Sequence, residues 1–391
     1  MRSFSRPVIG AVTAATMAIA TFPVIVSSVL ASQLIAEFEI TRAQLGFLVT
    51  ATALVGALMS PLLGRVTDRI GAVTATRYVL VIGMATLTAL ALAPTYAVLV
   101  LAALATGIPN GWSNPATNTL IADNIPVGAR GIVTGVKQSG VQIGTFLGGL
   151  VVPAIAVLWN WRVAVLTFLI IPVLGLVGMW GRHSESAERT RGEDTNAPIP
   201  MAVRWIALYG LLSGLATSAI FGFLPLFAEE DQLWSSQTAG SLLAVVGFTG
   251  IAARILWPRY SERTLGHGRT LRIVAGLSAI TALLLALAAA GSLDSWVLVP
   301  AALLLGAGAI AWNAVGMLAV MDLSPPGRVG KGTGTVLFGF LLGLAAGAPL
   351  LGFSVDQLGS YVVGWLGAAT LFIVCVVIAG KIPAGSTLAD S

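Results

Sequence analysis

Long apolar runs, separated by short polar or charged stretches, occupy almost the whole chain. Twelve can be drawn, at about 7–31, 43–63, 78–93, 96–122, 131–158, 163–181, 203–227, 237–257, 271–290, 296–321, 332–353 and 361–380. Most approach or exceed the roughly 20 residues an α-helix needs to cross a hydrocarbon core of about 30 Å. A bilayer interior offers no water, so each run must satisfy its own backbone groups, and Gly, Pro and Ala are tolerated in such helices. The pattern predicts an all-α polytopic membrane protein with 12 transmembrane helices. The first run follows two arginines as a signal peptide would, but it is too long and continuous for one and is read as helix 1.

Composition strengthens this picture. Hydrophobic residues make up 57% of the 391 and charged ones only 9%, against roughly 25% charged in a soluble domain. Too few charges remain to build a wetted surface. Most of the 21 Lys and Arg collect at alternate ends of the runs, with Arg42 and Arg162 on the other side and Lys137 and Arg254 within runs. The positive-inside rule then puts both termini in the cytoplasm, and a plasma (bacterial inner) membrane is expected. The sequence pI of 9.8 reflects this topology. Basic residues spread over helix ends, without stacking aromatics in one patch, give nucleic acid nothing to bind. The single cysteine, Cys375, lies in an apolar run and excludes a disulfide framework or a thiolate metal site.

The longest polar segment, residues 182–200, mixes both charge signs without apolar periodicity and reads as a solvated linker. The expected organisation is an N-terminal six-helix bundle at 1–181, a cytoplasmic linker at 182–202 and a C-terminal six-helix bundle at 203–391. An internal repeat supports it. One offset pairs Gly107 with Gly306, Asn114 with Asn313, Asp123 with Asp322, Gly128 with Gly327 and Thr134 with Thr333. Asn and Asp matching in the same register as glycines indicate duplication, so the two bundles are expected to be pseudo-symmetric.

After span 2 stands Gly64-Arg65-Val66-Thr67-Asp68-Arg69-Ile70-Gly71, and after span 8 a related stretch ends in Glu262-Arg263. Gly64, Asp68, Arg69 and Gly71 match the form G-x-x-x-D-R-x-G, and here the chain resembles the major facilitator superfamily. The two basic residues that usually follow are replaced by Ala72 and Val73. Gly107, Gly111 and Pro115 are similar to the superfamily's helix 4 pattern, without its arginine, since Ala103 stands there. Gly140, Gly144, Gly148 and Gly149 resemble its antiporter signature with Thr145 in place of proline, and equally suit close helix packing. The resemblance implies two six-helix bundles and alternating access, with Gly64, Asp68, Arg69, Gly71, Glu262 and Arg263 as gating candidates. An acid at a helix end would pair there with an arginine or a neighbouring helix N-terminus and break as the halves rock.

Lys137 is the informative residue. Seven residues beyond Arg130, at 1.5 Å each, it lies roughly 10 Å into the membrane. A lysine at that depth is costly and marks a functional site, unless it snorkels or binds backbone carbonyls. Its repeat partner is Val336, so it breaks the duplication. Gln138 and Gln142 share its polar helix face. Arg254, four residues before Pro258, is the second intramembrane cation, shallow enough to snorkel. The resemblance would place it across a central cavity from Lys137, with helices 1, 4, 7 and 10 lining that cavity. Asn110, Asn114 and Trp112 on span 4, Trp312 and Asn313 on span 10, and Tyr209 on span 7 complete the substrate-binding candidates.

No Asp or Glu falls in the interior of a run, and the two histidines, His183 and His267, are read as lying in loops. The usual side chains for a proton relay, a metal or a hydrolytic centre are therefore not expected within the membrane, and neither is enzyme activity or a cofactor. Two cations without counter-charges favour a small organic anion as substrate, moved by a secondary active or facilitative transporter. The alternative is an exporter of amphipathic drugs or sugars. Beyond substrate and lipid no partner is expected, and a monomer is the expected state.

Overall fold

The computed structural model describes residues 5–40, 42–181, 198–234 and 236–383. Fifteen α-helices follow one another among these residues. They are α1 (Arg6–Val29), α2 (Ala31–Phe38), α3 (Arg42–Ile70), α4 (Ala72–Ala91), α5 (Tyr96–Asn124), α6 (Arg130–Leu158), α7 (Trp161–Thr167) and α8 (Ile170–Gly178). After residue 200 come α9 (Met201–Glu230), α10 (Ser236–Tyr260), α11 (His267–Ala289), α12 (Leu298–Ala307), α13 (Trp312–Leu323), α14 (Val329–Leu358) and α15 (Val362–Ala379). No strand occurs among the described residues. Eleven membrane-length apolar spans are found among them, with α7 and α8 making one and the stretch Ser295–Leu323 another. The 29-residue α6 is the twelfth.

The chain divides into two compact units, Met1–Ile199 with Ser324–Phe338, and Pro200–Leu323 with Gly339–Ser391. The short segment 324–338, which opens α14, thus packs with the first unit although most of that helix belongs to the second.

Small residues set the helix spacing within the first unit. A Cβ on Gly140 of α6 would collide with the Ala14 carbonyl of α1, and one on Gly111 of α5 with the Gly56 carbonyl of α3. These are backbone-to-backbone approaches of the kind that replaces the hydrophobic drive between helices in lipid. Phe22 and Phe168 stack at 4.0 Å in the core of this unit. In the second unit Phe227, Tyr361 and Trp365 pack ring to ring. Among the glycines that turn the chain between spans are Gly71 (φ 85°) before α4 and Gly266 (φ 73°) before α11. A Cβ disfavours both conformations.

Three details depart from the uninterrupted runs. The first span ends at Val29 and a separate amphipathic helix, α2, follows. The sixth span is interrupted between Thr167 and Ile170. The tenth is broken outright between Ala307 and Trp312, where Gly308 leaves helical geometry (φ −100°, ψ −94°). A break inside a membrane frees backbone carbonyls that need donors. Side chains of α10 supply them, Trp257 Nε1 to the Ala307 carbonyl at 2.7 Å and Arg254 Nε to the Ile310 carbonyl at 3.0 Å.

Candidate functional site

Lys137 lies on the inward face of α6 and is 0% exposed. Its Nζ donates to Asn114 Oδ1 at 3.0 Å and to Asn118 Oδ1 in a shorter bond. Both asparagines are on α5, one turn apart, so both amides reach the ammonium together. Gln138 Nε2 also donates to Asn114 Oδ1, at 3.2 Å. Thr134, one turn earlier on α6, has a buried hydroxyl without a hydrogen-bond partner. Among the described residues no carboxylate pairs with Lys137. An ammonium has three N–H donors, and the two amide oxygens take two. The local result is a buried cation held by neutral dipoles, able to accept one further negatively charged partner.

Asn118 turns its other end toward α14. Its Nδ2 donates to Thr333 Oγ1 at 3.1 Å. The polar stripe of span 4 that carries Asn110 and Asn114 continues to Asn118 at a spacing of four residues, and of these asparagines only Asn118 is not among the substrate-binding candidates. Asn110 itself is half-buried and donates to the Ala20 carbonyl of α1 at 3.2 Å. Trp112 has its indole N–H on Thr67 Oγ1 at 2.7 Å and its ring against Tyr78. Gln142 is half-buried two residues after Gly140.

Asp68 occupies the last turn of α3 and accepts from two backbone amides of α14, Gly330 N–H at Oδ1 and Lys331 N–H at Oδ2, both at 2.8 Å. A carboxylate on the first turn of a helix satisfies donors that have no intrahelical partner and meets the positive end of the helix dipole. The hydrogen-bond donors are thus those of a helix N-terminus, and the Arg328 charge acts on the same carboxylate. Gly64 permits the approach, since a Cβ there would collide with the Gly330 carbonyl. Arg69 is exposed. Gly71 serves the backbone turn already described.

In the second unit, Arg254 is half-buried and ends on the broken tenth span. Tyr209 donates its hydroxyl to the Leu271 carbonyl at 3.1 Å, and its ring packs at 5.5 Å from Trp312, itself 1% exposed. Asn313, beside Trp312, is half-buried. Glu262 is buried in a single π-helical turn, Ser261–Leu265, whereas Arg263 is exposed. Lys137, Gln138, Asn114 and Asn118 are brought together in one unit. Arg254, Tyr209 and Trp312 belong to the other.

One expectation needs correcting. His267 is not in an open loop but is the first residue of α11, 2% exposed, with Nδ1 2.8 Å from Ser261 Oγ and Nε2 3.2 Å from Asp322 Oδ2. The apolar run was drawn from 271, yet the helix begins four residues earlier because Gly266 turns the chain directly into it. Asp322 was visible as the repeat partner of Asp123; a histidine opposite it was not. The second histidine, His183, lies outside the described residues.

A family model for the Major Facilitator Superfamily matches residues 9–326. The chain belongs to that superfamily. Two curated relatives, uncharacterized MFS-type transporters of Mycobacterium tuberculosis strains CDC 1551 and H37Rv, are each 24% identical over 269 residues, 66% of this chain. The match spans 59% of the length of those relatives. Similar MFS structures include the human organic anion transporter MFSD10 (TETRAN), with a TM-score of 0.77, 16% identity and coverage of 96% of this chain and 100% of that one. The proton:xylose symporter XylE has a TM-score of 0.83 at 16% identity, covering 98% of both chains. A bacterial homologue of the iron transporter ferroportin has a TM-score of 0.75 at 14% identity, covering 96% and 99%. At such identities the likeness is one of MFS fold.

Proposed function

We propose that the protein is a secondary active or facilitative transporter that moves a small organic anion by alternating access, with Lys137 as the principal anion contact. The observation that carries this reading is the buried Lys137 ammonium, bound by two amide oxygens and, among the described residues, by no carboxylate. Keeping a cation in such a place costs several kcal/mol unless an opposite charge arrives, so an anion is the ligand that gains most there. Asn114, Asn118 and Gln138 orient the ammonium. Arg254, Asn313, Trp312, Tyr209, Asn110, Gln142 and Trp112 belong to the proposal as substrate-facing positions of lesser weight, because several of their polar atoms already serve the protein. Both termini are proposed to be cytoplasmic in a plasma membrane.

A second reading, an exporter of sugars or amphipathic drugs, draws support from the amides around Lys137, which also suit hydroxyl groups. Uptake by proteoliposomes of purified protein, with labelled carboxylates, sugars and lipophilic cations compared under set gradients, separates the two. Carboxylate uptake that Lys137→Gln abolishes supports the anion reading. Sugar or drug movement that survives the substitution overturns it.

A further inference from the structure

The Lys137 site and the Asp68 cap both end on the first turn of α14, inside the first unit. Lys137 Nζ donates to Asn118 Oδ1, Asn118 Nδ2 donates to Thr333 Oγ1 at 3.1 Å, and Thr333 lies one turn into α14 after Gly330 and Lys331, whose amides Asp68 caps at 2.8 Å. Asn118 and Thr333 are both 0% exposed, so water does not compete for these bonds. We propose that Thr333 is a coupling residue, through which occupation of the Lys137 site loosens the first turn of α14 from Asp68. The inference rests on the anion reading of Lys137 but concerns what binding there releases.

The chemistry runs through one amide. With the site empty, the ammonium fixes the Asn118 carbonyl, and an amide whose oxygen is held must point its NH2 the other way, at Thr333. An anion bound to Lys137 competes for the same N–H donors. Asn118 Oδ1 then loses a charge-assisted bond, and the Nδ2 bond to Thr333 that it polarises weakens with it. The first turn of α14 is also held on α3 by close backbone approach, Gly330 against Gly64 and Gly334 against Ser60, and by the two amides that Asp68 accepts. Neither glycine contact is directional, so the directional bonds at Thr333 and Asp68 help to set the register of this turn. Because α14 runs on to Leu358, a change in its first turn is transmitted along a continuous helix.

Peptide-resolved hydrogen exchange on the purified full-length protein tests this without a known substrate. Losing one bond of about 1 kcal/mol raises the open population about fivefold, so Thr333→Val should speed exchange of the Gly330 and Lys331 amides by about that factor. Thr333→Ser, which keeps the hydroxyl, should exchange at the parental rate. Lys137→Met should accelerate the same amides, and adding Thr333→Val to it should give no further increase. Asn118→Ala should act as Lys137→Met does and serves as the decisive variant if the latter does not fold. Parental exchange at 330–331 in either variant, or effects that multiply in the double variant, overturns the coupling. Loss of transport in Lys137→Gln together with that result would leave the anion reading standing and remove only Thr333.

Discussion

At the scale of single residues, the membrane makes charge the most informative property. Lys137→Gln is expected to abolish transport, or reduce it at least about tenfold, while insertion and yield stay parental, because a charge-assisted bond of about 1.5–3 kcal/mol to the substrate is lost and the stem still fills its space. Transport assays beside detergent size-exclusion profiles check it, and near-parental transport would return the lysine to a packing role. Arg254 poses the opposite question. Its bond to the Ile310 carbonyl stands at the C-terminal side of a broken helix, where a cation is favourable, so Arg254→Met should lower stability by about 1–3 kcal/mol. Unchanged melting with lost transport would instead make Arg254 a substrate contact. Glu37 offers a pH response away from the spans. Burial pushes its carboxyl up, but hydrogen bonds from Trp161 and Arg162 and the Arg162 charge outweigh that and hold it below the usual carboxylate range. A depressed folded pKa contributes stability above the unfolded value, lost as pH falls through the folded one. Glu37→Gln should therefore melt earlier than the parent at pH 7, with the difference shrinking as the pH falls through the depressed folded pKa of Glu37.

At the scale of elements, ends and interruptions matter more than the apolar middles. Asp68 sits near the end of α3, where the dipole of its own helix is unfavourable, and is stabilised by the N-terminus of α14 instead. Asp68→Asn retains one acceptor oxygen and loses the charge. It should shift the accessibility of cysteines introduced along the first turn of α14 toward faster maleimide labelling, against a low background because the native Cys375 is buried. Identical labelling would remove Asp68 from gating. Helix existence was legible along the sequence, since length and apolarity leave a membrane segment few alternatives. The break after Ala307 was not, because Ala-Gly-Ala-Ile-Ala reads as ordinary helix until Trp257 and Arg254 are seen donating to the freed carbonyls.

At the scale of the whole molecule, the pH dependence of transport should follow the substrate's ionisation, its midpoint moving when a carboxylate of different pKa is supplied. A fixed midpoint would point to a protein group instead. The sequence by itself determined the class of the protein: all-α, twelve spans, a duplicated chain, and one lysine where a lysine is costly. Each follows from a local rule, because backbone groups in lipid must be satisfied within their own segment and an uncompensated charge there is expensive wherever it stands. Only the tertiary structure decided partners. Asp68 meets Gly330 and Lys331, Asn118 meets Thr333, Trp112 is taken by Thr67 and Tyr209 by Leu271. A hydrogen bond is specified by distance and angle between atoms that folding brings together from positions as much as 263 residues apart. No periodicity along one helix encodes which of several polar neighbours a side chain will face, and for Asn118 that choice is what ties the lysine to the cap.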